Sequence, residues 1–282
     1  MTGRIETFEG KQFDGKRFQS KVAFITGAAR GQGRAEAVRL ASEGADIIAV
    51  DACSEFASTS YDGATSADLA ETVDAVERIG RRIVASETDV RDFDALSAAL
   101  ADGVDRLGRL DVVVANAGIC SAAMSWKISP EQWKETLDVN LTGTFHTAKA
   151  AIPILLEQGT GGAIVLTSSV AGLRGLPFLA HYAASKHGIV GLCRSMANEL
   201  GQYGIRVNTV HPHGVETGMQ PADMMELLGE HGAALGPIFM GSLPDPISQP
   251  EDIAAAVAWL ASDEARHVTG IQLPVDLGTL NR

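Results

Sequence analysis

The chain contains no apolar run near the eighteen or so residues that a membrane-spanning helix requires, so it reads as soluble and without a membrane partner. Cysteine is scarce. Cys53, Cys120 and Cys193 are odd in number and spaced neither as a disulfide framework nor as a zinc site, which fits a reducing cytoplasm and assigns no metal. Positive charge is short as well: 23 Lys and Arg against 35 Asp and Glu leave a net charge of −12, which works against capture of a phosphate backbone. Nucleic acid is therefore not an expected partner. A small anion remains compatible with this balance, because backbone amides at a helix N-terminus hold phosphate locally whatever the global sign. Residues 1–20 mix Arg, Lys, Glu and Asp with isolated Phe and lack the apolar centre of a secretory signal. They are read as an N-terminal extension to a domain covering residues 21–282.

With 282 residues, 45% apolar and 21% charged, the chain is long enough to bury a sizeable core as one large α/β domain. Short β-branched runs at Val22–Thr26, Asp46–Val50, Arg82–Glu87, Asp111–Ala115, Ala163–Thr167 and Ile205–Val210 alternate with longer helical patterns. The helices are expected over Gln32–Ser42, Ser66–Ile79, Phe93–Leu107, Glu131–Leu156, His181–Tyr203 and Glu251–Ala261. Strands that are apolar almost throughout, each followed by a crossover, predict one doubly wound domain: a parallel sheet flanked by helices on both faces. Pro153 is expected to kink or end the fourth helix. Two stretches exceed ordinary loop lengths, the Ser- and Ala-rich segment 52–65 and the Met-, Leu-, Gly- and Pro-rich segment 218–250. Long connections in a compact domain are commonly lids or binding loops, and the second is read as a substrate-loop insertion.

Thr26-Gly27-Ala28-Ala29-Arg30-Gly31-Gln32-Gly33 closes the first strand and opens the first helix. Glycine there permits a tight turn and close approach of backbone to a pyrophosphate at the helix N-terminus, the mark of a Rossmann-type nucleotide site. Asp51 follows Gly33 by 18 residues at the end of the second strand, the place of a ribose-binding carboxylate. It repels a 2′-phosphate and so favours NAD over NADP. Arg30, a cation inside the loop, argues the other way, but Ala52 after Asp51 adds no second positive charge. Asp89-Val90 after the third strand reads either as an adenine contact or as a helix cap at Asp89. Asn116-Ala117-Gly118 ends the fourth strand with a small segment that lets backbone approach a ribose.

Tyr182 precedes Lys186 by four residues in His-Tyr-Ala-Ala-Ser-Lys, and Ser169 lies thirteen upstream. On a helix this spacing puts both on one face, where the ammonium is expected to lower the phenol pKa from its usual value of about 10. The three supply a base, a cation and a hydrogen-bond donor.

The glycine loop, Asn116-Ala117-Gly118, Asn140, Ser169 and the Tyr182/Lys186 pair, in that order, resemble the classical short-chain dehydrogenase/reductase family over Lys21 to Gly278. The resemblance implies a tetrad of Asn140, Ser169, Tyr182 and Lys186. In it the Tyr182 phenolate removes the alcohol proton as hydride leaves the same carbon for the nicotinamide. Ser169 orients the substrate oxygen, Lys186 also holds the nicotinamide ribose, and Asn140 positions a water leading to solvent. It further implies that Thr217 lies near the nicotinamide amide and that Val215 belongs to the cofactor site. Pro212-His213-Gly214 departs from the Pro-Gly of many relatives, so orientation of the nicotinamide by that loop follows less directly. The run Ile25 to Arg34, the long segment after Asp51, His181-Tyr182, Lys186-His187-Gly188 and Leu273-Pro274-Val275-Asp276 resemble the mycofactocin-associated, carveol-dehydrogenase-like subgroup. That resemblance implies tightly held NAD and an external redox carrier, with segment 52–65 long enough to fold over the adenine end or to be a surface loop.

Met124, Trp126, Leu173, Leu176, Phe178, Met219, Met224, Met225, Phe239 and Met240 fall in segments expected around the nicotinamide. Flexible Met side chains suit an irregular pocket for an apolar secondary alcohol or ketone, of terpenoid type; the same residues also suit core or subunit interface. A reductase with freely exchanging NAD(H), acting on another ketone or a 3-oxoacyl substrate, and a non-catalytic dinucleotide sensor are the alternatives. The sensor is disfavoured because no member of the base apparatus is missing. The long fourth and fifth helices resemble those through which the family forms homotetramers.

Overall fold

The computed structural model describes residues 16–282. Seven parallel strands form one sheet in the order β3-β2-β1-β4-β5-β6-β7. They are β1 (Val22–Thr26), β2 (Asp46–Asp51), β3 (Ile83–Glu87), β4 (Val112–Ala115), β5 (Gly162–Thr167), β6 (Ile205–Pro212) and β7 (Gln272–Val275). The strand order reverses between β1 and β4, and it is outside the carboxyl ends of strands at such a switch that open α/β sheets form their crevice.

α1 (Gly31–Ser42), α2 (Ser66–Arg78) and α8 (Pro250–Ala261) cover one face, and α3 (Phe93–Leu107), α5 (Gly143–Gln158) and α6 (Ala180–Leu200) cover the other. Every residue of β1 and β4 is buried, as the continuous apolar runs require. Local chemistry sets several helix ends. Thr65 and Asp68 form a capping box for α2, and Ser129 and Gln132 do the same for α4 (Pro130–Leu137), an arrangement worth about 1 kcal/mol per cap. Asp92 caps α3 by accepting from the Ala95 amide, so the helix-cap alternative for Asp89 is displaced by three residues.

The single helix expected over Glu131–Leu156 is instead α4, a π turn at Asp138–Thr142 and α5. α5 runs on through Pro153 and ends at Gly159 in the left-handed region, φ 67°, so Pro153 does not end it. Segment 218–250 is not a structureless insertion: it contains α7 (Ala222–Leu235) and a 3-10 turn, Gly236–Phe239. The part of the N-terminal extension within the described residues packs on the domain. Phe18 is fully buried, and Arg17 pairs with Glu43 at 2.5 Å and Glu264 at 2.7 Å. Residues 1–15 lie outside the described residues.

Candidate active site

The cleft at the switch point spans about 1230 Å³, part of it open to solvent, and is lined by Gly27, Arg30, Gly31 and Gln32 of the loop and by Ser169, Tyr182 and Lys186, whereas Gly33 and Asn140 stand behind its wall. At one end it is built from backbone. Gly27 has φ +68°, and a Cβ placed on it would lie 2.8 Å from the Ala117 Cα. A Cβ on Gly33 would lie 2.1 Å from the Gly27 carbonyl oxygen, so the helix can approach the turn only without a side chain. The Asn116 amide locks this arrangement by donating to the Thr26 and Gly27 carbonyls, both at 3.2 Å. Unlike α2, α3 and α4, α1 has no side-chain cap and no acid in its first turn, which leaves its leading amides available to an anion.

The Asp51 carboxylate sits beside this loop, accepting from the Ala29 amide at 3.0 Å and the Cys53 amide at 3.1 Å. Arg30 turns away from the loop it belongs to and donates to the Asp62 carbonyl at 2.5 Å. Asp89 pairs with Arg91 at 2.6 Å, while the Val90 carbonyl contacts His146 Nδ1 at 2.9 Å. An uncapped helix end, a cradle that a Cβ would fill and a fixed carboxylate fit the phosphates and ribose of a dinucleotide.

The other end is built from side chains. β5 delivers Ser169 just beyond its last residue, and the first turns of α6 carry Tyr182 and Lys186. Lys186 is buried, donates to the Thr167 carbonyl at 2.9 Å, and places Nζ 5.5 Å from the Tyr182 ring centroid. The Ser168 hydroxyl fixes the backbone of that turn by donating to the Lys186 carbonyl at 2.9 Å. The Ser169 hydroxyl faces the same cleft as the Tyr182 phenol and favours its ionised form.

Burial sets the proton affinities here. It pushes the Lys186 ammonium down to about 8. Although part of the Tyr182 side chain faces the cleft, burial of its phenol, reinforced by Cys120, pushes that group up and outweighs the opposing influence of Ser169. The expected lowering of Tyr182 by Lys186 is thus reversed in the chain alone. Nζ is directed at the Thr167 carbonyl, and desolvation penalises the charged forms of both groups.

Asn140 stands in the π turn, a feature often found at functional sites. Its side-chain amide is held at both atoms: Oδ1 accepts from the Ile119 amide at 2.8 Å, and Nδ2 donates to the Ile119 carbonyl at 2.9 Å and to Ser185 at 3.2 Å. Both Nδ2 hydrogens are used, so a water can meet Asn140 through a lone pair of Oδ1 or of its backbone carbonyl, which already accepts from Thr144 at 2.7 Å. Gly118 connects the groups, since a Cβ there would lie 3.3 Å from Asn140 Oδ1 and 3.4 Å from Lys186 Nζ. Thr217 packs against Gly31, with its methyl 3.1 Å from the position of a Gly31 Cβ, and its hydroxyl accepts from the Met219 amide. Val215 pairs with Ser248.

Two residues that sequence reasoning did not assign to the site close the cleft. The Cys120 amide donates to the Tyr61 hydroxyl at 3.0 Å. Asp223, at the start of α7, accepts from Ser60 at 3.0 Å and from the Ala122 amide at 2.8 Å. Segment 52–65 therefore borders the cleft and is tied to α7. Tyr61, the sole Tyr or Trp in a run of small polar residues, was the available signal; nothing local marks Asp223. Of the apolar residues expected near the substrate, Met124, Leu176, Phe178, Met219, Met224 and Phe239 pack in one cluster with Tyr182. Trp126, Leu173, Met225 and Met240 are exposed.

A doubly wound sheet with a glycine turn, an acid after β2 and a Ser, Tyr and Lys convergence defines a dinucleotide-dependent oxidoreductase architecture. The chain belongs to the short-chain dehydrogenase family, whose model matches residues 21–226. It is 54% identical over 269 residues to an uncharacterized oxidoreductase of Mycobacterium tuberculosis (strain CDC 1551 / Oshkosh), covering 94% of this chain and 97% of that protein. It is 43% identical over 272 residues to the (-)-trans-carveol dehydrogenase of Rhodococcus erythropolis, covering 93% and 98%. The crystal structure of carveol dehydrogenase from Mycobacterium avium in complex with NAD is similar with a TM-score of 0.90 and 48% identity, covering 95% of this chain and 100% of that one.

Proposed function

We propose that this protein is an NAD-dependent dehydrogenase acting between an apolar secondary alcohol and its ketone, with a cyclic, carveol-like alcohol as the substrate class. The observation that carries the reading is the meeting of Ser169, Tyr182 and Lys186 on one wall of a cleft whose other end is an uncapped helix N-terminus beside Asp51. The apolar cluster around Tyr182 and the carveol dehydrogenases among the relatives support the substrate class.

NAD, when bound, supplies the acceptor for the substrate hydride. Gly27, Arg30, Gly31, Gln32 and Gly33 form its phosphate cradle, Asp51 holds a ribose, and Asp89, Val90, Asn116, Ala117, Gly118, Val215 and Thr217 line its path. Tyr182 takes the alcohol proton, and Ser169 holds the same oxygen by hydrogen bonding. Lys186 keeps a donor beside the ribose and anchors the turn that carries Tyr182. Asn140 orders this corner through Ile119 and offers its carbonyl to a connecting water. The Asp51 carboxylate disfavours a 2′-phosphate, so NADP should bind far more weakly than NAD. Tyr182→Phe should retain NAD and lose turnover; near-normal activity in that variant overturns the reading.

The finer reading is that NAD exchanges slowly and that electrons leave through an external redox carrier. Segment 52–65, tied down at Ser60 and Tyr61, supports it. Heat denaturation of purified protein should release stoichiometric NAD; an empty protein that turns over on added NAD speaks for free exchange instead. Assembly as a homotetramer through α5 and α6, where Phe145 and Leu156 are exposed, belongs to the same reading, and light scattering measures it.

A further inference from the structure

His211, the next-to-last residue of β6, is fully buried and has both ring nitrogens engaged. Nδ1 lies 2.6 Å from the Ser169 carbonyl oxygen, and Nε2 lies 2.8 Å from the Thr209 hydroxyl. A carbonyl has no proton to give, so the Nδ1 contact requires the hydrogen on Nδ1. Burial, joined by the neighbouring Lys186 charge, outweighs the Ser169 hydrogen bond and pushes the imidazole down to about 4, so the ring is neutral and Nε2 carries a lone pair. Thr209 must then donate to Nε2, leaving its other neighbour, the Ile271 carbonyl at 3.2 Å, to the Thr209 amide that already reaches it at 3.0 Å.

The peptide held this way is that of the substrate-orienting serine. Its carbonyl accepts from His211 and, at 2.8 Å, from the Gly172 amide, which fills both lone pairs. Its side-chain oxygen lies 3.4 Å from the carbonyl of Pro212, the residue after His211, and accepts from the Ala171 amide at 3.1 Å. The end of β6 thus grips Ser169 at both backbone and side chain.

We propose that His211 is a positioning residue: its neutral, Nδ1-protonated imidazole fixes the Ser169 peptide and thereby the aim of the Ser169 hydroxyl at the substrate oxygen. It touches no substrate, and its effect is expected where geometry at the reacting oxygen counts, in kcat. The inference rests on the oxidoreductase reading for its kinetic part and on the structure alone for the tautomer.

The tautomer is read in the NAD-loaded full chain by two-bond nitrogen–proton NMR of ¹⁵N-histidine-labelled protein, with His211→Asn identifying the signal. A neutral ring protonated at Nδ1 between pH 6 and 8 is expected, and an Nε2-protonated or cationic ring overturns the proposal. Kinetics with (-)-trans-carveol then compares two variants. His211→Leu should lower kcat about tenfold, the cost of one well-made hydrogen bond, with KM and NAD affinity within about twofold. His211→Asn, whose amide N–H is as far from Cβ as Nδ1, should retain kcat within about threefold. Equal losses in both variants, or a change confined to KM, would assign His211 to packing alone. If no alcohol turns over, the oxidoreductase reading fails while the tautomer result still decides this one.

Discussion

The two ends of the cleft solve recognition by opposite means. At the nucleotide end the working parts are amides and absent side chains, as at Gly27 and Gly33. At the chemical end they are side chains taken out of water, as at Lys186 and Tyr182. Adding an atom should therefore harm the first, and removing one should harm the second. Buried charge differs in the same way. Lys186 has the Thr167 carbonyl, whereas Glu36, one turn along α1 from Gln32, is fully buried with neither carboxylate oxygen hydrogen-bonded. Burial pushes Glu36 up to about 8, so it rests in α1 as a neutral acid near pH 7.

The largest expected effect is at the chemical end. Tyr182→Phe should cut turnover by about 10²- to 10⁴-fold, the range for a lost acid–base group, with NAD affinity unchanged by fluorescence titration. A parallel loss of affinity would mean that the two ends are not separable. Next comes an added methyl. Gly33→Ala drives a Cβ against backbone that cannot swing away and should weaken NAD by about a hundredfold in calorimetry. Unaltered binding would show that the cradle is not made of close approach.

Glu36→Gln sharpens the contrast in buried charge. A carboxyl whose folded pKa is raised to about 8 contributes stability that is present below its ordinary value near 4.5 and is lost as pH climbs through 8. Holding it protonated at pH 7 costs about 3 kcal/mol relative to the unfolded chain. The amide removes that cost, so thermal melts should show a gain at pH 8 well above that at pH 5; equal gains would mean that Glu36 does not titrate in this window. The smallest effect is at the seam between the ends. Asp223→Ala frees Ser60 and Ala122 and should speed NAD release about three- to tenfold, read by NAD retained through gel filtration. Full retention would move the hold on the cofactor to Tyr61 and Arg30.

Much of this was legible in sequence because the period of burial is simple. β1, β2, β4 and β5 are buried along their length but for single end residues, and the expected strands match β1 to β6 to within two residues at either end. β7 was missed because Gln272-Leu273-Pro274-Val275 is a partly exposed edge strand containing proline, which leaves no continuous apolar run. α7 was missed because Gly229 and Gly232 dilute its pattern and none of its residues is buried. The π turn was invisible for another reason: it changes hydrogen bonding without changing the apolar spacing enough to see. The residues proposed to act were readable by order, whereas their protonation was not. Spacing reports that Lys186 is beside Tyr182, but only the depth of both groups decides which way each moves.

β7 pairs Gln272 with Thr209 and Pro274 with His211, at the far edge of the sheet. During synthesis the loop, Asp51, Ser169, Tyr182 and Lys186 all leave the ribosome before that strand exists. A nascent chain halted near Gly270 would hold every residue of the proposed chemistry and still lack the strand that completes the β6 edge beside His211. Such a chain should acquire its nucleotide-binding half first and its catalytic competence last, a translational order that arrest at successive lengths would expose.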